Sequence, residues 1–171
     1  LNAANIILLH EPGHAQARLI RAVEMLRQNQ FEACRDDLGM LGDSLTPEQV
    51  NQANILATQS YIAQARQMVL QAPVRGTDTI GSSVMELLSR AASYRAMISP
   101  VASDPHLPQV LHAMELDTRA MYLRSVLVSM NHQLDQTRTV AQTEEIQVLA
   151  VQTSDDLLER ARLEAKVAEI C

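Results

Sequence analysis

His10-Glu11-Pro12-Gly13-His14 is the first run whose residue types and spacing could do chemistry. Two histidines four apart with a glutamate between them hold zinc and supply a base when they share one helix face. Pro12 and Gly13 break helices, so here the run reads as a turn that opens a helix. His112 with Glu115 is a second candidate ligand pair. Di-iron bundles use Glu-x-x-His from two helices, whereas here the order is reversed and occurs once. Glu115 is better read as the ion-pair partner of Arg119, four residues on. His132 falls beside an apolar stripe. Its titration range leaves a pH-sensing role open beside the plainer one of a hydrogen-bonded structural histidine.

Cys34 lies on the apolar side of its helix and reads as a buried, inert thiol. Asp36-Asp37 reads as solvated surface, since a catalytic dyad needs burial to split its pKa values. The sequence contains no Gly-rich phosphate loop and no Gly-x-Ser-x-Gly. These residues imply no enzyme, no cofactor and no metal centre.

The composition narrows the partners. At 171 residues and net charge −6, the chain lacks the basic face that displaces counterions from nucleic acid. One Phe, three Tyr and no Trp cannot build a base-stacking platform. The longest apolar run, Ile6 to Leu9, is far short of a membrane span, so this segment is not expected to insert directly. Cys34 and Cys171 are too few and too distant for a disulfide framework, and they leave the cell compartment open. The core must be filled by Ala, Leu, Met, Gln and Val, mostly good helix formers, which argues for an all-α fold.

The elements follow from breakers and caps. Leu1 to Leu9 is a helical turn or a packed arm, since no second strand candidate exists to pair with it. Helices are expected over about 14–28 and 31–41, the second with Phe31, Cys34, Leu38 and Leu41 in register. This hairpin resembles one tetratricopeptide unit over residues 19–42, with small Ala22 and Cys34 and aromatic Phe31 at the matching places. Gly is missing from the turn, and no second copy lies 34 residues on. Repeat solenoids need about three stacked units, so the resemblance stops at a hairpin. Thr46-Pro47-Glu48-Gln49 is a capping box that starts a helix running to Gln71. A further helix runs from Thr77 or Asp78 toward Pro100 along Ile80, Val84, Leu87, Ala91, Tyr94 and Ile98. The three-proline segment 99–108 is the hinge candidate. The last helix, about 136–170, has a possible break at Thr153-Ser154-Asp155-Asp156.

Residues 107–134 carry two apolar stripes when placed at 100° per residue. Val110, Met114, Met121 and Val128 fall on one side. Leu116, Ala120, Leu123, Leu127, Met130 and Leu134 fall nearly opposite. A helix with two apolar sides is expected to be gripped by protein on both, which makes it the spine of an antiparallel bundle of about six helices. The eight methionines either fill core gaps or line an adaptable groove, and core filling is the favoured reading.

Domain organisation reads as one helical domain over 1–171, with a possible division into 1–98 and 105–171. A Leu at position 1 and an uncapped last helix read as a piece of a larger polypeptide. The expected function is a non-enzymatic protein–protein interaction or assembly module, binding a protein partner or itself. Its interaction residues would be Met114, Met121, Val128, Leu116, Leu123, Leu127 and Met130. The alternative is an extracytoplasmic helical sensory domain of a bacterial membrane receptor, with both ends at one pole.

Overall fold

Thr46 accepts the backbone N–H of Gln49 while the Gln49 side chain accepts that of Thr46, and Pro47 fills the first helical position. From that capping box runs α4 (Pro47–Gln71), the helix against which most of the chain is arranged. The structure is a computed structural model that describes residues 2–42, 45–72, 77–99, 105–137 and 151–162. Those residues form α1 (Asn2–His10), α2 (Ala15–Arg27), α3 (Phe31–Gly39), α4, α5 (Thr77–Arg95), α6 (Leu107–Thr137) and α7 (151–162), with no strand among them. The fold is all-α, as the composition requires.

The N-terminal helices form a small layer on the first half of α4. Ala4 and Leu8 of α1 pack on Ala17, and Leu19, Ala22, Cys34 and Leu56 join α2, α3 and α4. Asn29 supplies the turn between α2 and α3 with φ 58°. Asn tolerates the left-handed region better than most residues, so it does the work of the missing glycine. Asp37 is 5% exposed and accepts from both Arg18 and Arg21. This corrects the reading of Asp36-Asp37 as solvated: only Asp36 is exposed. Two guanidiniums from α2 draw the neighbouring carboxylate inside, as a buried charge requires.

α4 and α5 form an antiparallel hairpin. Its far end is tied by Asn51, which accepts the Ser99 N–H at 2.8 Å and donates to the Ser99 carbonyl at 3.2 Å. Ala65, Val69, Val84 and Leu88 fill the middle, and Tyr61, Ile62 and Ala91 continue the line. α6 returns antiparallel to α5, with Tyr122 lying over Gly81, Arg95 pairing with Glu115, and Met121 and Tyr122 packed on the α4–α5 cluster. α7 then lies antiparallel to α6 through Arg119–Asp156, Arg160–Asp117 and His112–Glu159.

Four expectations are corrected here. α6 is not gripped along both apolar stripes: Leu116, Ala120, Leu123 and Met130 are buried, but Val110, Met114 and Val128 are 38–56% exposed. The second covered side is instead the one carrying Leu111, Thr118, Tyr122 and Ser129, about a quarter turn round the helix from the exposed stripe. Small and hydroxyl side chains mark that side, and the Thr118 hydroxyl is satisfied by the Met114 carbonyl at 2.9 Å. Glu115 does not pair with Arg119, because each has a stronger cross-helix partner, Arg95 and Asp156. Residues 153–156 are helical and unbroken: Asp156 faces Arg119, so its preference for a cap is overridden by tertiary contact. Four of the eight methionines, Met40, Met85, Met97 and Met114, are exposed and do not fill core gaps.

The last helix expected over 136–170 is described only where α7 lies. The hinge expected at 99–108 falls largely on 100–104, and the sensory-domain test of paired termini falls on residue 1 and residues 163–171. All of these lie outside the described residues.

Candidate interaction groove

Small side chains decide where this fold leaves space. Ala53 and Ala57, one turn apart on α4, face Gly39 and Leu38 of α3, and none of them is long enough to close the gap. The result is a cavity of about 290 Å³ between α3, α4 and α5. Leu38, Leu41, Leu45, Val50, Ala53 and Ala57 give it an apolar lining, and Tyr61 and Tyr94 close one end. The two tyrosines stack with ring centroids 5.7 Å apart and planes at 24°. Val50 is 43% exposed at its edge.

Arg35 is the single charged residue of the lining among the described residues. Its guanidinium carbon sits 4.4 Å above the Tyr61 ring, a cation–π contact. It donates to Gln64 at 2.7 Å and to Ser60 at 3.4 Å, with Glu32 at 3.4 Å. Tyr61 and Arg35 also line a second, more polar hollow of about 360 Å³ with Glu32, Gln64, Ser83, Glu86 and Arg90. The two hollows therefore share one wall. An apolar half and a charged half meet at the Arg35–Tyr61 pair.

Cys34 is fully buried, and burial pushes its thiol up to about 11, so the thiolate is withdrawn from use. His10 ends α1, while His14 caps α2 with its Nδ1 accepting the Ala17 N–H at 3.2 Å, so the two imidazoles do not share a helix face. His112 lies 3.8 Å from Glu115 and 3.5 Å from Glu159. Among the described residues, no group of three or more His, Cys, Asp or Glu could hold a metal ion. No described helix is long and apolar enough to cross a membrane.

The seven interaction residues expected from the sequence are not brought together as one surface. Leu116, Leu123 and Met130 are buried in the chain's own core, Leu127 is half-buried, and Met121 packs on the α4–α5 cluster. Met114 and Val128 are exposed. His132 is exposed and has an interaction partner.

The groove residues were not singled out in sequence. The signal was the pattern Ala53, Ala57, Tyr61, which is two small residues and one large at four-residue steps. Compared with protein-family models, curated proteins and solved structures, the chain matches none.

Proposed function

We propose that this chain is a helical protein–protein interaction module, and that it takes a short partner segment into the α3–α4–α5 groove. One observation carries the reading: a cavity lined largely by apolar side chains, with Arg35 its one charge among the described residues, walled by stacked aromatics and an anchored guanidinium. At about 290 Å³ it accepts one or two apolar anchors, below most small-molecule pockets of roughly 300–1,000 Å³. Val50 to Tyr61 spans about 17 Å of helix at 1.5 Å per residue, enough for anchors at i, i+4 and i+7 of a docked helix. Arg35 favours a partner carboxylate beside those anchors. The exposed methionines suit adaptable contact outside the groove.

Selection from a random peptide-display library tests this. Selected peptides should share helically spaced apolar residues and an adjacent Asp or Glu. Arg35→Glu should reverse the charge preference, and Ala53→Phe should fill the cavity and abolish capture. Selection that yields no shared pattern, or peptides indifferent to both substitutions, rejects the groove.

A further inference from the structure

α7 is held in an unusual way. Its buried residues are Thr153 and Asp156, both polar, while Leu157 is only half-buried and Val151 and Leu158 are 61% and 52% exposed. A helix docked by its apolar stripe does the reverse. What aligns α7 is polar contact, two ion pairs and a His–Glu approach: Asp156, Glu159 and Arg160, at i, i+3 and i+4 on one face, meet Arg119 at 3.1 Å, His112 at 3.5 Å and Asp117 at 2.6 Å. Arg95 of α5 holds Glu115 at 3.1 Å and Arg66 of α4 approaches Asp117 at 3.9 Å, so the receiving surface on α6 is itself held in place.

The fit is poor where it should be close. A cavity of about 270 Å³ remains between α5, α6 and α7, floored by Met85, Leu88 and Leu116. Its polar wall includes His112, Arg119 and Glu159. Nδ1 of His112, Nε of Arg119 and Oδ2 of Asp156 are buried without a hydrogen-bond partner among the described residues. The Arg119–Asp156 pair is close but misaligned. Burial outweighs Arg119 and lifts the Asp156 carboxyl above its ordinary range. A pair whose guanidinium is 41% exposed while its carboxylate is 11% exposed adds little stability.

We propose that the α6 face under α7 is a docking site for a helix of a partner protein, and that α7 is the strap that fills it until that helix arrives. The occupant's chemistry is written in α7: acid, acid and base at i, i+3 and i+4. To that it adds one apolar side chain directed at the Met85–Leu88–Leu116 floor. Such a helix keeps the three polar contacts and fills the void that α7 leaves, and for that reason it displaces the strap. This surface is separate from the α3–α4–α5 groove, so either can fail without the other.

The test uses the full chain and a fluorescent synthetic peptide of residues 151–162. Asp156→Arg with Glu159→Arg should release the strap, seen as lost amide-exchange protection confined to 151–162. The released chain should bind the peptide about tenfold more tightly than the unaltered chain, and adding Arg119→Ala, which cannot re-form a pair with the strap, should remove that gain. Arg119→Asp with Asp156→Arg alone should restore protection of α7, which separates loss of the charge match from loss of folding. Protection unchanged in the released variant overturns the strap. Equal or absent peptide binding overturns the docking site, and so does binding indifferent to Arg119. A dimer of the released variant by light scattering would assign the site to a second copy and overturn the foreign helix.

Discussion

The α4–α5 seam and the α6–α7 seam are both antiparallel helix pairs, but different forces hold them. In the first, Ala65, Val69, Val84 and Leu88 are at most 7% exposed and small residues let the helices approach. In the second, the α7 residues taken fully out of water are Thr153 and Asp156, and a half-open cavity remains beside Leu116. Apolar burial is worth roughly 25 cal/mol per Å² and is not screened by salt. Partly exposed ion pairs contribute about 0–1 kcal/mol each and are screened. Two seams of similar outline should therefore differ in strength, in salt response and in how readily one helix is replaced.

The largest expected effect lies in the first seam. Ile62 is 1% exposed between Tyr61 and Ala91, so Ile62→Ala should cost about 2–5 kcal/mol in denaturant unfolding. Loss below 1 kcal/mol would mean that this hairpin is no better packed than α7. Gly81→Ala comes next. An added Cβ would lie 2.1 Å from the Tyr122 hydroxyl and 3.1 Å from its ring. Helix propensity gains about 1 kcal/mol and overpacking costs about 1–3, so a net loss near 1 kcal/mol is expected. Net stabilisation would show that Tyr122 moves aside freely.

Arg119→Ala should cost less, about 1 kcal/mol or a little more, because Arg119 is 41% exposed but leaves a carboxylate that is only 11% exposed. That loss should appear as faster amide exchange in 151–162. Asp156→Asn should have the smallest effect at neutral pH, within about 0.5 kcal/mol. Its pH dependence sharpens the contrast. Folding raises this carboxyl above its ordinary 3.8, chiefly by burial. Its contribution is therefore present below the ordinary value and lost as pH rises through the folded one. Asn cannot titrate, so unfolding curves from pH 3 to 6 should lose that slope in the variant.

Much of the fold could be read directly from the chain. The Thr46–Gln49 box set the start of α4, and the prolines and Asn29 bounded their helices, because these signals act on the local backbone. The charges could not be read that way. Glu115 and Arg119 are correctly spaced to pair with each other, yet each bonds to another helix. Asp37 differs from Asp36 only in facing Arg18 and Arg21. Sequence spacing gives what a helix offers to itself, whereas partners 20 or 40 residues away depend on how the helices are placed. Val110, Met114 and Val128 show the same limit, since an apolar stripe says what wants cover and not whether cover arrives. The groove was hidden for a related reason: Ala53 and Ala57 make space only once α3 brings Gly39 opposite them.

Amide exchange of the full chain at low and at high ionic strength tests the difference between the two seams most directly. Protection of residues 151–162 should fall by about tenfold as salt screens the ion pairs, while residues 47–71 and 80–95 keep theirs. If both regions respond alike, or α7 holds its protection in high salt, the α6–α7 seam is an ordinary packed interface and its charges do not govern it.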